Sequence, residues 1–195
     1  TGIVIPFSCS AWIHSIHRGI DVARATGRTH VAGATGKTSE AAIRTYYDLP
    51  DEAILDMGDF VGGMLKYLRK HPVEHVSIAG GFAKLIKLAQ GHLDLHSSRS
   101  QVDFDRLAQT VKHCGGDAML QDATRTANTA KQVLEQCQAA NVDIADTIAR
   151  QACESARATL DGATVVEIVI TDRDGKIIAR HSPGDFDTFR PSAKN

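Results

Sequence analysis

Residues 76–100, VSIAGGFAKLIKLAQGHLDLHSSRS, hold the densest set of side chains in this chain that could do chemistry. An apolar run ends at Gly80-Gly81, and Phe82, Leu85, Ile86 and Ala89 then recur with helical spacing. Lys84 and Lys87 stand one turn apart off that stripe, Gly91 stops the helix, and His92, Asp94, His96, Ser97 and Arg99 follow in a polar loop. A strand, a glycine pair and a helix start make an anion site, because unpaired N–H groups and the helix dipole converge there. Lys84, in the first turn, would strengthen that field. The plain alternative is a βα unit whose lysines face water.

A second loop of this kind is Gly33-Ala34-Thr35-Gly36-Lys37-Thr38-Ser39-Glu40. It is not a Walker A loop, since Val31 stands where the first glycine is required. As a glycine-bearing βα turn, its backbone donors could hold a carboxylate or a ribose, with Thr38 or Ser39 capping the next helix. Asp56 lies twenty positions after Gly36, the separation at which dinucleotide-type folds place the acid that binds ribose hydroxyls. Gly58 follows it, and Asp59 is expected to cap a helix. His92 and His96 are four apart, but Leu93 stands where a metalloprotease has glutamate, so no metal site is expected. Cys9 opens a helix and could be reactive, although a packed thiol is the commoner case. The four cysteines are dispersed and expected to be free in a cytoplasmic protein.

These loops need a frame. Strands are expected at residues 2–7, 29–32, 53–56 and 73–79, with amphipathic helices between them. Helices should then run from 101 to about 160. Asp103 or Asp105 starts the first, Gly115-Gly116 breaks it, and residues 124–140 and 143–158 form two more. The β-branched run 163–170 turns at Asp172-Arg173-Asp174-Gly175 into a hairpin partner at 176–181. Strand–helix alternation of this kind predicts an α/β fold: a mostly parallel, Rossmann-like sheet with helices on both faces, an α-rich segment and a C-terminal β-hairpin. The whole chain reads as one α/β domain of βα repeats (1–100), helical segment (101–160), then hairpin and tail (161–195). In such sheets ligands bind beyond the carboxyl ends of the strands, so the loops at 33–40, 56–60 and 80–84 are expected to share one pocket.

A net charge of −1 and an aromatic share of 5% argue against a nucleic-acid partner. No apolar run approaches a membrane span and no signal-peptide pattern is seen, so no membrane association is expected.

The run Gly81-Phe82-Ala83-Lys84-Leu85-Ile86-Lys87-Leu88-Ala89-Gln90-Gly91 with Asp94-Leu95-His96-Ser97 resembles the signature of the CbiD family, the cobalt-precorrin-5B C-1-methyltransferases of cobalamin biosynthesis. Thr1–Ile13 with Arg18–Arg24, and Gly33–Glu40, look like two further blocks of that family, in its order. The chain departs from the usual signature at Gly81, Ala83 and Asp94-Leu95. The resemblance implies methyl transfer from S-adenosylmethionine to C-1 of a tetrapyrrole, a corrin precursor. Gly33, Thr35, Gly36, Thr38, Asp56, Gly58, Gly80 and Gly81 would then serve the cofactor. Lys37, Lys84, Lys87, Ser97 and Arg99 would face the acceptor's acetates and propionates. His96 or Asp94 would be the nearest base. A TGIV block lies near the middle of CbiD-like proteins, so this chain would be roughly the C-terminal half of a longer protein, with its own N-terminal domain as a partner. Self-association stays open. The competing readings are a nucleotide-dependent oxidoreductase, and a non-catalytic acceptor-binding half that needs the N-terminal domain.

Overall fold

The computed structural model describes residues 8–183, so the strand expected at 2–7 and most of the tail lie outside the described residues. Among the described residues, five strands form one sheet in the order β2-β1-β3-β4-β5. They are β1 (His30–Ala34), β2 (Ile54–Asp56), β3 (His75–Gly81), β4 (Val165–Thr171) and β5 (Ile177–His181). The first four are parallel, and β5 turns back antiparallel on β4. The predicted α/β class, parallel sheet and terminal hairpin are all present.

Among the described residues, eight α-helices surround the sheet: α1 (Cys9–Ala25), α2 (Lys37–Tyr47), α3 (Val61–Lys70), α4 (Phe82–Ala89), α5 (Phe104–His113), α6 (Ala118–Arg125), α7 (Ala130–Ala139) and α8 (Ala145–Leu160). The continuous helix expected over 124–140 is in fact two. Thr129 accepts the Gln132 N–H and caps α7, so the chain leaves α6 and restarts. Asp103 and Asp117 cap α5 and α6 in the same way.

Strand periodicity divides the core. Val76 and Ile78 join Ile16, Leu65, Leu85 and Ile148 in the large cluster on one face. Ala79 faces Ile43 and Tyr47 of α2 in the small cluster on the other. The small-residue face of α8, with Ala145, Ala149, Ala152 and Ala156 buried, lets it seat closely in this large core.

The α2 face also holds a buried polar network that no sequence spacing announced. Glu167 of β4 is fully buried. The Tyr47 hydroxyl lies 2.8 and 2.7 Å from its two carboxylate oxygens, Ser77 Oγ donates to it at 2.8 Å, and Arg180 Nε donates at 2.8 Å. Because Ser77 gives its hydroxyl proton to Glu167, it must accept from His30 Nε2, 2.9 Å away. This assigns the Nε2–H tautomer. Burial, then the neighbouring His75, holds the His30 pKa down from 6.5 to about 4. The unfolded chain therefore takes up this proton first as pH falls, and stability drops between about 6.5 and 4. The loss from this group should be on the order of 3 kcal/mol at the acid end. Melting temperatures measured from about pH 7 to pH 4.5 should show it, and His30→Asn should flatten that part of the profile.

Candidate functional site

The sheet order reverses between β1 and β3: from β1 the chain crosses to β2 on one side, then returns to β3 on the other. A crevice opens beyond the carboxyl ends of strands at such a point. A groove of about 860 Å³ occupies it. Thr35 to Ser39 follow β1 on one side, Gly81 to Lys84 follow β3 on the other, and the hairpin turn at 171–174 and α7 complete the walls.

Two helices start in this groove, and neither is capped by a side chain. Gly36 is the N-cap of α2 and Gly81 that of α4. The expected caps Thr38 and Ser39 do not cap α2: Thr38 is exposed and Ser39 donates back to the Gly36 carbonyl at 2.9 Å. First-turn N–H groups without a side-chain cap, at two helix starts, make the groove receptive to anions.

Lys84 ties the three expected loops together. Its Nζ donates to the Thr35 carbonyl at 2.8 Å and pairs with Asp59 Oδ1 at 3.1 Å. Asp59 therefore does not cap α3, whose N-cap is Phe60. It anchors Lys84 across the crevice instead. Lys84→Met should cost about 1–2 kcal/mol, because it leaves a largely buried carboxylate unpaired. Urea unfolding measures this, and adding Asp59→Asn should recover part of the loss.

The other sequence-predicted residues separate into distinct places. Thr35, Gly36, Lys37, Thr38, Gly81 and Lys84 line the groove. Gly33 and Gly80 lie under packed side chains: a methyl on Gly33 would meet Met64 Sδ at 2.5 Å, and one on Gly80 would meet Leu85 Cδ2 at 2.7 Å. Asp56 and Gly58 do not reach the groove, which corrects the expectation of one pocket shared by three loops. The Trp12 indole takes the Asp56 carbonyl at 3.0 Å and lies against Gly58, which has a φ of 56°. The third wall is supplied by the hairpin turn and α7.

Lys87 does not join Lys84 in the groove either. It is buried and donates to the Leu95 carbonyl at 2.9 Å, and burial pushes its ammonium below the ordinary lysine pKa. That bond holds the 92–100 loop against the domain. Gly62 and Gly63 of α3 make close approaches inside the domain. Gly62 N–H reaches the Leu93 carbonyl at 2.9 Å, and a methyl on Gly63 would lie 3.2 Å from Ile13. Asp94, His96, Ser97 and Arg99 do not line the groove. Asp94 Oδ1 instead accepts the His96 N–H at 3.1 Å, and His96 Nδ1 accepts from Ser98 N–H at 3.2 Å. Thr171, Asp172, Arg173, Lys131, Leu134 and Glu135 went unnoticed as site residues. They lie 50 or more positions after Gly81 of the glycine pair, and no spacing rule links them to it.

Among the described residues, no group of three or more His, Cys, Asp or Glu side chains is placed to hold a metal ion. Nor is any helix there long and apolar enough to cross a membrane.

Fold and site together define a doubly wound α/β protein with an anion-receptive crevice at its switch point. Residues 94–182 match the family model described as CbiD, C-terminal domain. The chain is also 62% identical, over 181 residues, to proteins named cobalt-precorrin-5B C(1)-methyltransferase from Brucella canis, Brucella suis and Brucella anthropi. The aligned region is 92% of this chain and 49% of each relative, so the chain spans about half the length of the curated relatives it matches. The likeness to these relatives therefore extends over nearly the whole chain, and the match to the family model over residues 94–182. No solved structure matches.

Proposed function

We propose that this chain forms the C-terminal half of a cobalt-precorrin-5B C(1)-methyltransferase and that its groove at the β1/β3 crevice binds S-adenosylmethionine. The observation that carries the reading is the 62% identity to proteins of that name across 92% of the chain. The groove supports it independently. The starts of α2 and α4 suit the carboxylate of the donor's amino-acid portion, and Phe82, Leu134 and Ile178 offer apolar surface for an adenine. S-adenosylmethionine would supply the methyl group. The chain's own contribution is to orient it and exclude water, because positioning provides most of the rate in such a displacement. Lys37, Lys131 and Arg173, on three different elements of the rim, would face the carboxylates of a tetrapyrrole acceptor.

Calorimetric titration of S-adenosylhomocysteine into the folded chain tests this. Binding is expected, and Gly81→Leu should abolish it. A methyl at Gly81 meets no atom within 4 Å, so the larger side chain would project into open groove without breaking the core. A folded chain that binds no S-adenosylhomocysteine would remove the donor site from this half.

A further inference from the structure

Thr35 and Thr171 carry the groove's most informative side chains. Thr35 follows β1, and Thr171 ends β4, in register with Gly81 of β3. Both line the groove, yet they are only 7% and 2% exposed. A threonine hydroxyl this deeply buried ordinarily finds a partner. Thr164, for example, donates to the Val73 carbonyl at 2.7 Å, and Thr124 to the Leu120 carbonyl at 2.8 Å. Neither Thr35 Oγ1 nor Thr171 Oγ1 has a hydrogen-bond partner among the described residues. Neither belongs to the fully enclosed side-chain atoms that lack a partner, so each hydroxyl keeps access to the groove it lines. Gly81 lies between them, and its missing side chain leaves open space.

From this arrangement we infer that the groove floor is an oxyanion subsite for a carboxylate-bearing small molecule. The Thr35 and Thr171 hydroxyls donate to the carboxylate oxygens, the N–H groups opening α2 and α4 add backbone donors, and Lys37 adds charge at the rim. The inference rests on the methyltransferase reading for the identity of the ligand, and it adds the atoms that hold it. A carboxylate could reach the floor from the amino-acid end of the methyl donor or from an acetate or propionate of the acceptor. The chemistry of recognition is the same for both.

The test compares Thr35→Val and Thr171→Val with the parent chain, with melting curves to show that each remains folded. Valine keeps the shape and removes the donor. Three probes are titrated: S-adenosylhomocysteine, 5′-methylthioadenosine, which lacks the amino-acid carboxylate, and the octacarboxylate uroporphyrin. Each substitution should weaken the carboxylate ligand that uses the floor by about tenfold, the effect of one hydrogen bond to a charged group, and leave methylthioadenosine unchanged. Weakening of S-adenosylhomocysteine assigns the floor to the donor, and weakening of uroporphyrin alone assigns it to the acceptor. If S-adenosylhomocysteine binds and neither substitution matters, the subsite falls while the donor reading stands. If neither carboxylate probe binds the folded parent chain, both fall. Should a valine variant fail to fold, the parent chain still decides. S-adenosylhomocysteine binding no tighter than methylthioadenosine, with no uroporphyrin binding, overturns the subsite.

Discussion

Arg180→Met is expected to destabilise the chain by about 3–5 kcal/mol, the largest effect of any single substitution considered for this fold. Arg180 is the only guanidinium among the described residues that reaches Glu167, whose side chain has no exposed surface. Removing it leaves the carboxylate to Tyr47 and Ser77, two neutral donors. The attraction that offsets the desolvation of Glu167 is then gone, while the desolvation remains. Arg180 also stacks over the Tyr46 ring at 4.6 Å and bonds its hydroxyl, so the same change loosens α2 from β5. Chemical denaturation measures the loss. Glu167→Gln with Arg180→Met should recover much of it, since an amide can keep the Tyr47 and Ser77 bonds without a buried charge. A single variant as stable as the parent would overturn the offsetting role given to Arg180.

The second large effect separates two adjacent glycines. Gly80→Ala should cost about 1–3 kcal/mol and disturb ligand binding, whereas Gly81→Ala should leave the melting temperature nearly unchanged. A methyl on Gly80 would lie 2.7 Å from Leu85 Cδ2 and 2.9 Å from both Thr35 Oγ1 and Cγ2. It would therefore push against a core leucine and move the hydroxyl assigned to the groove floor. At Gly81 the same methyl meets nothing within 4 Å, and the φ of −70° is open to any residue. Thermal melts of the two variants in parallel decide this. Equal destabilisation would show that the pair serves only the turn.

Lys84 shows how a correct motif can carry a different role. Its place in the first turn after a glycine pair was legible, because strand, glycines and apolar helix spacing are all local. Its partners were not. The Thr35 carbonyl and Asp59 are 49 and 25 positions away, and only the crossing of β1, β2 and β3 brings them together. Lys87 has the same local signature on the same helix, yet it is buried and bonded to Leu95, because the returning loop covers it. Periodicity separates a helix's faces, but it does not say what will later pack on the polar one.

What the sequence determined by itself is what local chemistry controls. The 2.0 and 3.6 periods placed the strands and most helices of the described residues, glycines and capping residues set their ends, and the alternation of the two implied a parallel sheet with its loops gathered at one edge. The three family-like blocks pointed to CbiD, and the comparisons bear that out. The tertiary structure alone decided which residues meet. It drew Thr171 and the hairpin turn to the groove from 136 positions beyond Thr35, covered Asp56 and Gly58 with Trp12, and closed Glu167, Arg180, Tyr47 and Ser77 into one buried network. The physical reason is that strand order and register are set by packing of the whole sheet, a long-range condition that residue spacing does not encode.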